Sequence, residues 1–483
     1  MQRLHPQTLG ELPAAVTRPD YDRDATGIGM LHLGIGAFHR AHQAVYTDTA
    51  MALAGGDWGI VGVSLRSAAV SDQMMPQDCL YSVMTEDATA SHLRVVGAVK
   101  RVLVAPRNPA AVVASLADPS VQIVTLTITE KGYKLAADGN TLNREDEDVI
   151  ADLANPEQPR TALGLLALGL RARAAAGAAA LTILSCDNLS GNSHRLRGVL
   201  QEYLADTFVE VLPWLDQQVR FPCCMVDRIV PAMTAEQSQR QSRALGLTDA
   251  AGVSTEPFSQ WIIEDDFATA RPAWERAGAQ FVSSVLPYEA IKLRLLNASH
   301  SAIAYCGLLA ELETVDAVMG DAELRAFIEA LMTHELMPAL TVPADFDIAA
   351  YRDQLLQRFA NPCLHHRCAQ IAMDGSEKIS QRWLPGLQQS RGEGQVKALA
   401  AWCYFILHSG LTVDDPQATE LLAARASTEP VDSRVAQVLD CARINAGSVA
   451  DFAPLVTDIV SGMANIERQG IRAMLAATDS ANT

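Results

Sequence analysis

Short apolar runs recur along residues 1–286, with helical stretches between them. The runs lie at residues 30–36, 59–64, 121–127 and 181–185. The first run passes through a glycine turn into residues 37–53, which have helical character. Continuous apolar runs that alternate with helices are typical of buried strands in a parallel sheet covered on both faces. The pattern therefore predicts an α/β domain with a mainly parallel sheet over residues 1–286, together with an irregular extension.

The pattern changes after Pro287. The β-rich runs cease, and apolar residues recur with helical spacing over residues 289–311, 322–337 and 395–407. We therefore expect residues 287–483 to form a second, mostly α-helical domain.

Composition narrows the functional classes. The chain of 483 residues has 38 Lys plus Arg against 56 Asp plus Glu, so its formal net charge is −18. An acidic surface without a strong basic patch argues against nucleic-acid binding. The nine cysteines are scattered, and the first residues lack the apolar run of a secretory signal, so we expect reduced thiols and a cytoplasmic protein. The longest apolar candidate, residues 162–184, contains Arg171 and Arg173, so we predict no membrane span.

Two groups of cysteines raise the question of a metal. Cys223 and Cys224 are adjacent, and Cys363 and Cys368 flank a pair of histidines. Structural zinc usually takes two closely spaced pairs, which these spacings do not supply. The sequence therefore predicts no metal site.

A glycine pair follows the first predicted strand. Gly34 and Gly36 are placed so that the backbone can approach a pyrophosphate at the start of the next helix, although a plain tight turn explains them equally well. His39 stands where a third glycine is usual. The second strand ends near Arg66 without the carboxylate that would hold a ribose, so the choice between NAD and NADP stays open.

A polar group lies on one predicted helix after Pro287. At about 100° per residue, Lys292, Asn297 and His300 project from one side of that helix. An ammonium, an amide and an imidazole can then converge on one oxygen. Alternatively, Lys292 is a surface lysine, Asn297 lies at a helix end and His300 is a core histidine.

Three further polar residues follow predicted strands or apolar stretches, where α/β sheets carry binding loops. Asn188 follows the run at 181–185, Glu130 follows the run at 121–127, and Asp227 lies beside Arg228. Alternatively, Glu130 is a loop carboxylate paired with Lys131, and Asp227 forms a surface ion pair with Arg228.

Together, these segments resemble the polyol-specific long-chain dehydrogenase/reductase family, which includes mannitol 2-dehydrogenases and fructuronate reductases. The matching segments are GIGAFHRAHQA (34–44), LTITEKGY (126–133), SCDN (185–188), FPCCMVDRIVPA (221–232), EPFSQWIIEDDF (256–267), KLRLLNASHS (292–301) and QIAMDGSEK (370–378). They occur in the family's order and span most of the chain. The resemblance implies a Rossmann-like N-terminal domain, a helical C-terminal domain with the active site between them, and a reaction without a metal.

The resemblance also implies roles for individual residues. Lys292 is the general acid/base, and Asn188 and Asn297 form the amide hole for the developing alkoxide. His300 and Asp227 position the substrate, Lys378 lines the pocket, and Glu130 helps to pass protons to solvent. The expected cofactor-binding residues are Gly34, Gly36, Ala37, Phe38 and Arg66, and NAD is favoured over NADP. His39 belongs to the family pattern.

The choice of substrate rests on residues 366–378, which look like the fructuronate reductase version. Gln370 stands where mannitol dehydrogenases commonly carry arginine. A uronate carboxylate requires a local cation, for which Arg367 and Lys378 are candidates, unless both are solvated surface cations. We therefore expect a reductase that interconverts D-fructuronate and D-mannonate. The alternatives are a dehydrogenase of mannitol or D-arabinitol, and a dinucleotide-binding sensor without catalysis. The only expected partner is a small-molecule sugar acid or polyol, and a monomer is favoured.

Overall fold

A computed structural model of the protein describes residues 1–136, 138–344 and 346–476. The chain splits into two compact units, Met1–Leu286 and Pro287–Thr483. Each unit is described by itself.

Strands and helices alternate in Met1–Leu286. The strands are β1 (Ile28–Leu33), β2 (Gly59–Ser64), β3 (Tyr81–Glu86), β4 (Ser91–Val96), β5 (Val99–Val104), β6 (Ile123–Leu126), β7 (Leu181–Ser185), β8 (Val219–Arg220), β9 (Cys224–Asp227), β10 (Val253–Thr255), β11 (Gln260–Glu264) and β12 (Gln280–Val282). The α-helices are α1 (Ala37–Ala41), α2 (Gln43–Ala54), α3 (Ala69–Met74), α4 (Pro109–Ala117), α5 (Glu147–Ala154), α6 (Ala162–Ala175), α7 (Asn192–Thr207), α8 (Leu212–Gln218) and α9 (Ala235–Leu245).

The main sheet has six parallel strands in the order β5-β2-β1-β6-β7-β8. Counted along the chain, this order is 3-2-1-4-5-6, the arrangement of dinucleotide-binding sheets. The predicted α/β class is thus confirmed. Two three-stranded sheets, β10-β3-β4 and β12-β11-β9, account for the irregular extension expected from the sequence.

Alternation along β1 shows why this sheet is buried on both faces. Leu31 and Leu33 join a hydrophobic cluster with residues of α4, α6 and α7. Met30 joins a second cluster that includes Ala44 and Met51 of α2. Because successive side chains of a strand point to opposite faces, one apolar run supplies both clusters.

The carboxyl ends of β1 and β6 carry a buried polar group centred on His32. Its Nδ1 lies 2.7 Å from the Oγ1 of Thr125, and its Nε2 lies 2.9 Å from the Oγ1 of Thr127 and 3.1 Å from the Gly34 carbonyl oxygen. His39 stacks on His32 with ring centroids 3.4 Å apart. Burial lowers the pKa of His32 to about 3 and lowers the pKa of His39 well below 6.5. Both imidazoles are therefore neutral in the folded protein near pH 7.

The second unit is helical. Its α-helices are α10 (Leu286–Ile291), α11 (Ala298–Leu309), α12 (Val315–Gly320), α13 (Ala322–Ala330), α14 (Ile348–Phe359), α15 (Cys368–Ala372), α16 (Gly375–Gln389), α17 (Glu393–Leu407), α18 (Ala418–Ala426), α19 (Val431–Cys441), α20 (Phe452–Gln469) and α21 (Ile471–Ala476). The predicted helical character of this half is confirmed. Across the residues that the structure describes, none of the helices combines the length and the apolar character that spanning a membrane requires.

Two predicted helices are less regular than their spacing suggests. Residues 289–311 contain a π-helical segment, Lys292–Asn297, between α10 and α11, and residues 322–337 contain another, Leu331–Leu336. The uniform 100° rotation assumed for Lys292, Asn297 and His300 is therefore wrong, because the π segment closes i→i+5 hydrogen bonds.

The neutral buried histidines predict a loss of stability in mild acid. The unfolded chain takes up a proton on His32 below about pH 6.5, whereas the folded chain does not until about pH 3. The contribution of neutral His32 to the free energy of unfolding is therefore complete above pH 6.5. It falls as the pH decreases, by a slope that approaches about 1.4 kcal/mol per pH unit. Urea unfolding at pH 7.5, 6.5 and 5.5 measures this slope.

The variant His32→Asn keeps a polar group beside the threonines and removes the titrating imidazole. We expect its stability to depend less steeply on pH than that of the unsubstituted protein. A stability of the unsubstituted protein that does not decrease between pH 6.5 and 5.5 contradicts the prediction, even if the variant does not fold.

Candidate active site

The glycine turn after β1 is shaped by its contact with the end of β6. Gly34 has φ +99°, and a Cβ added there would lie 2.0 Å from the Thr127 carbonyl oxygen. The Thr127 hydroxyl donates to the Gly34 carbonyl at 2.8 Å, and the Gly34 N–H donates to the Val63 carbonyl at 2.9 Å. Only glycine fits this position, so the backbone conformation and the close packing both require Gly34.

Gly36 is open where Gly34 is crowded. It is exposed, begins α1 without a side-chain cap, and a Cβ added there would meet only the Gly34 carbonyl oxygen, at 3.8 Å. Ala37 and Phe38, the next two residues, are half-buried, and Phe38 stacks on His42 with centroids 5.1 Å apart. Arg66 is exposed two residues after β2.

These residues fit a dinucleotide. The turn lies where the order of the parallel sheet reverses, between β1 and β6, the place where such sheets bind nucleotides. The space over Gly36 allows a pyrophosphate to approach backbone N–H groups that no side chain caps. The exposed guanidinium of Arg66 follows the strand next to β1, where a ribose or its 2′-phosphate is held in this fold.

The buried carboxylate of Asp187 positions the loops after β6 and β7. It accepts hydrogen bonds from the N–H groups of Ile128 at 3.0 Å and Thr129 at 2.8 Å, and from the Tyr133 hydroxyl at 2.8 Å. Burial raises the pKa of Asp187, while these hydrogen bonds favour its charged form. Because Glu130 follows Thr129 and Asn188 follows Asp187, one carboxylate fixes the backbone beside both; Glu130 and Asn188 are themselves exposed.

Asn192, on the first turn of α7, links the same loop to β9. Its Nδ2 donates to the Asp187 carbonyl at 3.1 Å and to the Cys224 carbonyl at 2.8 Å. Asp227 ends β9, is 4% exposed and pairs with Gln260 of β11. Arg228 is the residue that would pair with Asp227 in the alternative interpretation. Its guanidinium donates to the carbonyl oxygens of Ala41 at 2.6 Å and Glu256 at 3.1 Å.

In the helical unit, the π segment carries Lys292 and Asn297 at its two ends. Lys292 is 9% exposed and Asn297 is 8% exposed. Since an i→i+5 hydrogen-bonded turn brings residues five apart nearly above one another, both side chains leave the same side of the helix. His300 follows on the first turn of α11 and is 7% exposed.

Helix α16 holds this segment in place. The guanidinium of Arg382 donates to the Asn297 carbonyl at 3.1 Å and to the Ser301 hydroxyl at 2.7 Å, and the Trp383 indole donates to the Ala298 carbonyl at 3.3 Å. These bonds satisfy carbonyl groups at the transition from π to α geometry. Arg382 therefore positions Asn297 through its backbone.

His300 lies among aromatic rings and cations. It packs on Phe359 with ring centroids 4.6 Å apart and meets His366 edge-on at 5.5 Å. Burial, and then the charges of His366, Arg382 and Arg358, lower the pKa of His300 well below 6.5. Among the described residues its buried Nε2 has no hydrogen-bond partner, so this neutral imidazole keeps an unsatisfied polar atom.

The three predicted residues near α15 differ in their surroundings. The ammonium of Lys378 donates to the Met373 carbonyl at 2.6 Å and lies near enough to His366 to lower the pKa of that imidazole further, after the effect of burial. Arg367 precedes α15, its backbone pairs with Thr314, and its side chain is exposed, as is Gln370. The ring of His300 thus meets that of His366, and the charge of Lys378 acts on His366, whereas the side chains of Arg367 and Gln370 are exposed.

Sequence reasoning missed several residues of these arrangements. Asp187 is part of the matching segment SCDN, but the residues that it contacts are distant from it in the sequence. His32, Thr125 and Thr127 appeared only as strand residues, and Arg382 lies just beyond the last matching segment. The clue within the sequence was a histidine and threonines inside otherwise apolar strands, where a polar residue requires a partner.

Comparison with known proteins matches both units. The mannitol dehydrogenase Rossmann domain model matches residues 28–276, and the mannitol dehydrogenase C-terminal domain model matches residues 284–467. A D-mannonate oxidoreductase of Escherichia coli (strain K12) is 36% identical over 97% of this chain and 99% of the relative. A mannitol 2-dehydrogenase of Cereibacter sphaeroides is 38% identical over 86% of this chain and 90% of the relative.

A solved structure gives the same result. Pseudomonas fluorescens mannitol 2-dehydrogenase, in a ternary complex with NAD and D-mannitol, is 32% identical, with a TM-score of 0.87 over 98% of this chain and 99% of its own. Both family models together cover most of the chain, and the relatives span nearly its full length. The chain belongs to the mannitol dehydrogenase family of oxidoreductases.

Proposed function

We propose that this protein is an NAD-dependent reductase that interconverts a ketone and a secondary alcohol at C5 of a sugar acid, D-fructuronate and D-mannonate. The observation that carries the proposal is the grouping of Lys292, Asn297 and His300 on one buried π-to-α segment. Carbonyl reduction requires hydrogen-bond donors at the reacting oxygen and a proton for that oxygen, and Asn297 and Lys292 carry the groups that can supply them. The similarity to a D-mannonate oxidoreductase supports the choice of substrate.

Residues of Met1–Leu286 would hold the cofactor. Gly34 shapes the turn, Gly36 leaves room for the pyrophosphate, and Ala37 and Phe38 supply the first N–H groups of α1. Bound NADH supplies the hydride for reduction. The solved relative with NAD supports NAD over NADP, and Arg66 is the residue through which a 2′-phosphate would be accepted.

The chain's own residues manage the charge on the reacting oxygen. As the carbonyl carbon gains a hydride, its oxygen becomes negative and needs preorganised donors. We assign this role to the carboxamides of Asn297 and Asn188. The ammonium of Lys292 then gives its proton to that oxygen, and in the oxidation direction neutral Lys292 takes the proton back.

The remaining assignments concern binding and proton exchange. His300 and Asp227 would bind substrate hydroxyls, and exposed Glu130 would exchange protons with solvent. For the carboxylate, Lys378 is the stronger of the two predicted cations, because its charge acts on His366, whose ring meets that of His300. Arg367 and Gln370 would then act at the exposed edge of this group.

A polyol substrate is the second candidate. The mannitol 2-dehydrogenase of Cereibacter sphaeroides is as similar to this chain as the D-mannonate oxidoreductase is. A neutral polyol needs no cation for a carboxylate, so the effect of Lys378 on each substrate separates the two candidates.

The open surface over Gly36 predicts that a larger side chain blocks the cofactor without disturbing the fold. Gly36→Val should weaken NADH binding by about tenfold or more, since the cofactor backbone approaches most closely there. Its melting temperature should stay within about a degree, because an added Cβ has space. Fluorescence titration with NADH measures the dissociation constant.

Gly10→Val is the matched control, because an added Cβ at Gly10 meets nothing within 4 Å. It should bind NADH as the unsubstituted protein does. Equal affinity of Gly36→Val and Gly10→Val for NADH is the result that rejects the cofactor assignment.

Replacing the proposed acid/base should abolish turnover and leave cofactor binding intact. Lys292→Met keeps most of the side-chain volume, and we expect kcat/KM for the ketone to fall by about 10² to 10⁴. NADH affinity should be unchanged. Lys100→Met, on β5, is the control and should keep full activity.

This pair also separates the enzyme from a binding protein without catalysis. If the unsubstituted protein binds NADH and turns over no sugar acid or polyol, the sensor is favoured. Activity that survives in Lys292→Met contradicts the proposed mechanism.

The substrate assignment predicts a preference for the acid. We expect kcat/KM with NADH to be higher for D-fructuronate than for D-fructose. Lys378→Met should lower the value for fructuronate by about 10- to 100-fold through loss of a charged hydrogen bond, and should change the value for fructose little. Initial rates of NADH oxidation measure both. A preference of the unsubstituted protein for fructose, with mannitol but not mannonate oxidised, selects the polyol dehydrogenase.

A further inference from the structure

Three side chains of different chemistry lie close together in Met1–Leu286. They are His194 on α7, Cys223 immediately before β9, and Glu264 at the end of β11. One ligand atom from each lies within 4.8 Å of the other two. Cys223 is buried, Glu264 is half-buried and His194 is exposed, so the group extends from the interior to the surface.

Sheet pairing explains why Cys223 and Glu264 adjoin. Strands β9 and β11 are antiparallel with Cys224 opposite Ile263, so the next positions, Cys223 and Glu264, also face each other. Their backbones exchange a hydrogen bond, from the Glu264 N–H to the Cys223 carbonyl at 3.0 Å. Side chains of directly opposed residues lie on the same face of a sheet.

Asn192 brings the histidine to this pair. Its side chain bonds both the N–H and the carbonyl of Cys224, at 3.3 Å and 2.8 Å, and so fixes the first turn of α7 against β9. His194 lies two residues further along the same helix. Residues that are far apart in the sequence thus form one group of a nitrogen, a sulfur and an oxygen ligand.

We propose that His194, Cys223 and Glu264 bind a divalent transition-metal ion of the Zn²⁺ type. Zinc takes cysteine sulfur, histidine nitrogen and carboxylate oxygen, often three protein ligands with water in the fourth position. Calcium and magnesium take oxygen ligands and are disfavoured by the thiolate and the imidazole. Metal–ligand bonds of about 2.0–2.3 Å require the three atoms to close by roughly an ångström, which the exposed His194 side chain permits.

The surroundings of Glu264 support a metal ligand. Its Oε2 accepts the Cys223 N–H at 2.8 Å and its Oε1 accepts the Val285 N–H at 3.3 Å. Each carboxylate oxygen keeps a further lone pair. Hydrogen bonds of this kind orient a ligating carboxylate and are a regular feature of metal sites.

This site is separate from the proposed reaction, which uses no metal. The ion would join α7, which begins four residues after Asn188, to the strands that end at Asp227 and Glu264. Binding only to the folded chain stabilises it, so occupancy should raise the melting temperature. The expectation from the sequence that no metal binds was based on cysteine spacing and on a resemblance that implies a reaction without a metal, whereas these ligands come together only in the folded chain.

Cobalt(II) titration of the full-length, untagged protein tests the site, because a thiolate bound to cobalt gives a charge-transfer band in the near ultraviolet. We expect the band to saturate at one ion per chain and to be displaced by Zn²⁺. Cys223→Ser should abolish it. Cys224→Ser is the matched control: the next residue of a strand points to the opposite face, and the Cys224 thiol bonds the Ser185 carbonyl at 3.0 Å, so the band should remain.

His194→Ala provides a variant whose folding is not in question, because the side chain is exposed. We expect cobalt affinity to fall by about tenfold or more, with the apo melting temperature unchanged. A band that persists in Cys223→Ser, a band lost in Cys224→Ser, or unchanged affinity in His194→Ala overturns the proposal. The absence of a band in the unsubstituted protein also overturns it.

Discussion

The buried carboxylate of Asp187 is the interaction on which the polar edge of the parallel sheet depends. A buried sheet must end in loops whose N–H groups still need acceptors. Asp187 supplies acceptors to Ile128 and Thr129 and also binds the Tyr133 hydroxyl. Its removal would leave these donors unsatisfied and release the backbone beside Asn188 and Glu130. Because β6 and β7 are neighbours in the sheet, this one side chain can hold the two loops that carry Glu130 and Asn188.

In the helical unit, the polar side chains are positioned by an irregular helical segment, Lys292–Asn297. A π segment is rare because its hydrogen-bond pattern is less favourable than that of an α-helix, and such segments frequently mark functional sites. Here it places Lys292 over Asn297, and Arg382 and Trp383 satisfy carbonyl groups at its end. The cost of the irregular turn is offset by these bonds, and the result is two buried polar side chains on one side of the helix.

Several cations lie near His300 although the chain as a whole is acidic. The chain carries a formal net charge of −18, which repels anions at long range. Around His300, however, the charges of Arg382 and Arg358 reinforce the lowering of its pKa, and Lys378 acts on His366 in the same way. Lys378 also pairs with the Asp374 carboxylate at 3.7 Å. In the proposed function, the carboxylate of the sugar acid would share this cation, which a neutral polyol does not need.

Features that depend on local pattern could be predicted from the amino-acid sequence. Apolar runs predicted β2 and β7 at their observed bounds, and the G-x-G after β1 predicted the turn, because strand burial and glycine conformation are properties of a few consecutive residues. The motif KLRLLNASH likewise brought Lys292 and His300 into consideration. The folded chain was needed to reveal the partners of Asp187, the π geometry of the segment that begins at Lys292, and the proximity of His194 to Cys223 and Glu264. Each of these arises from contacts between distant segments, and local periodicity contains no information about which distant segments pack together.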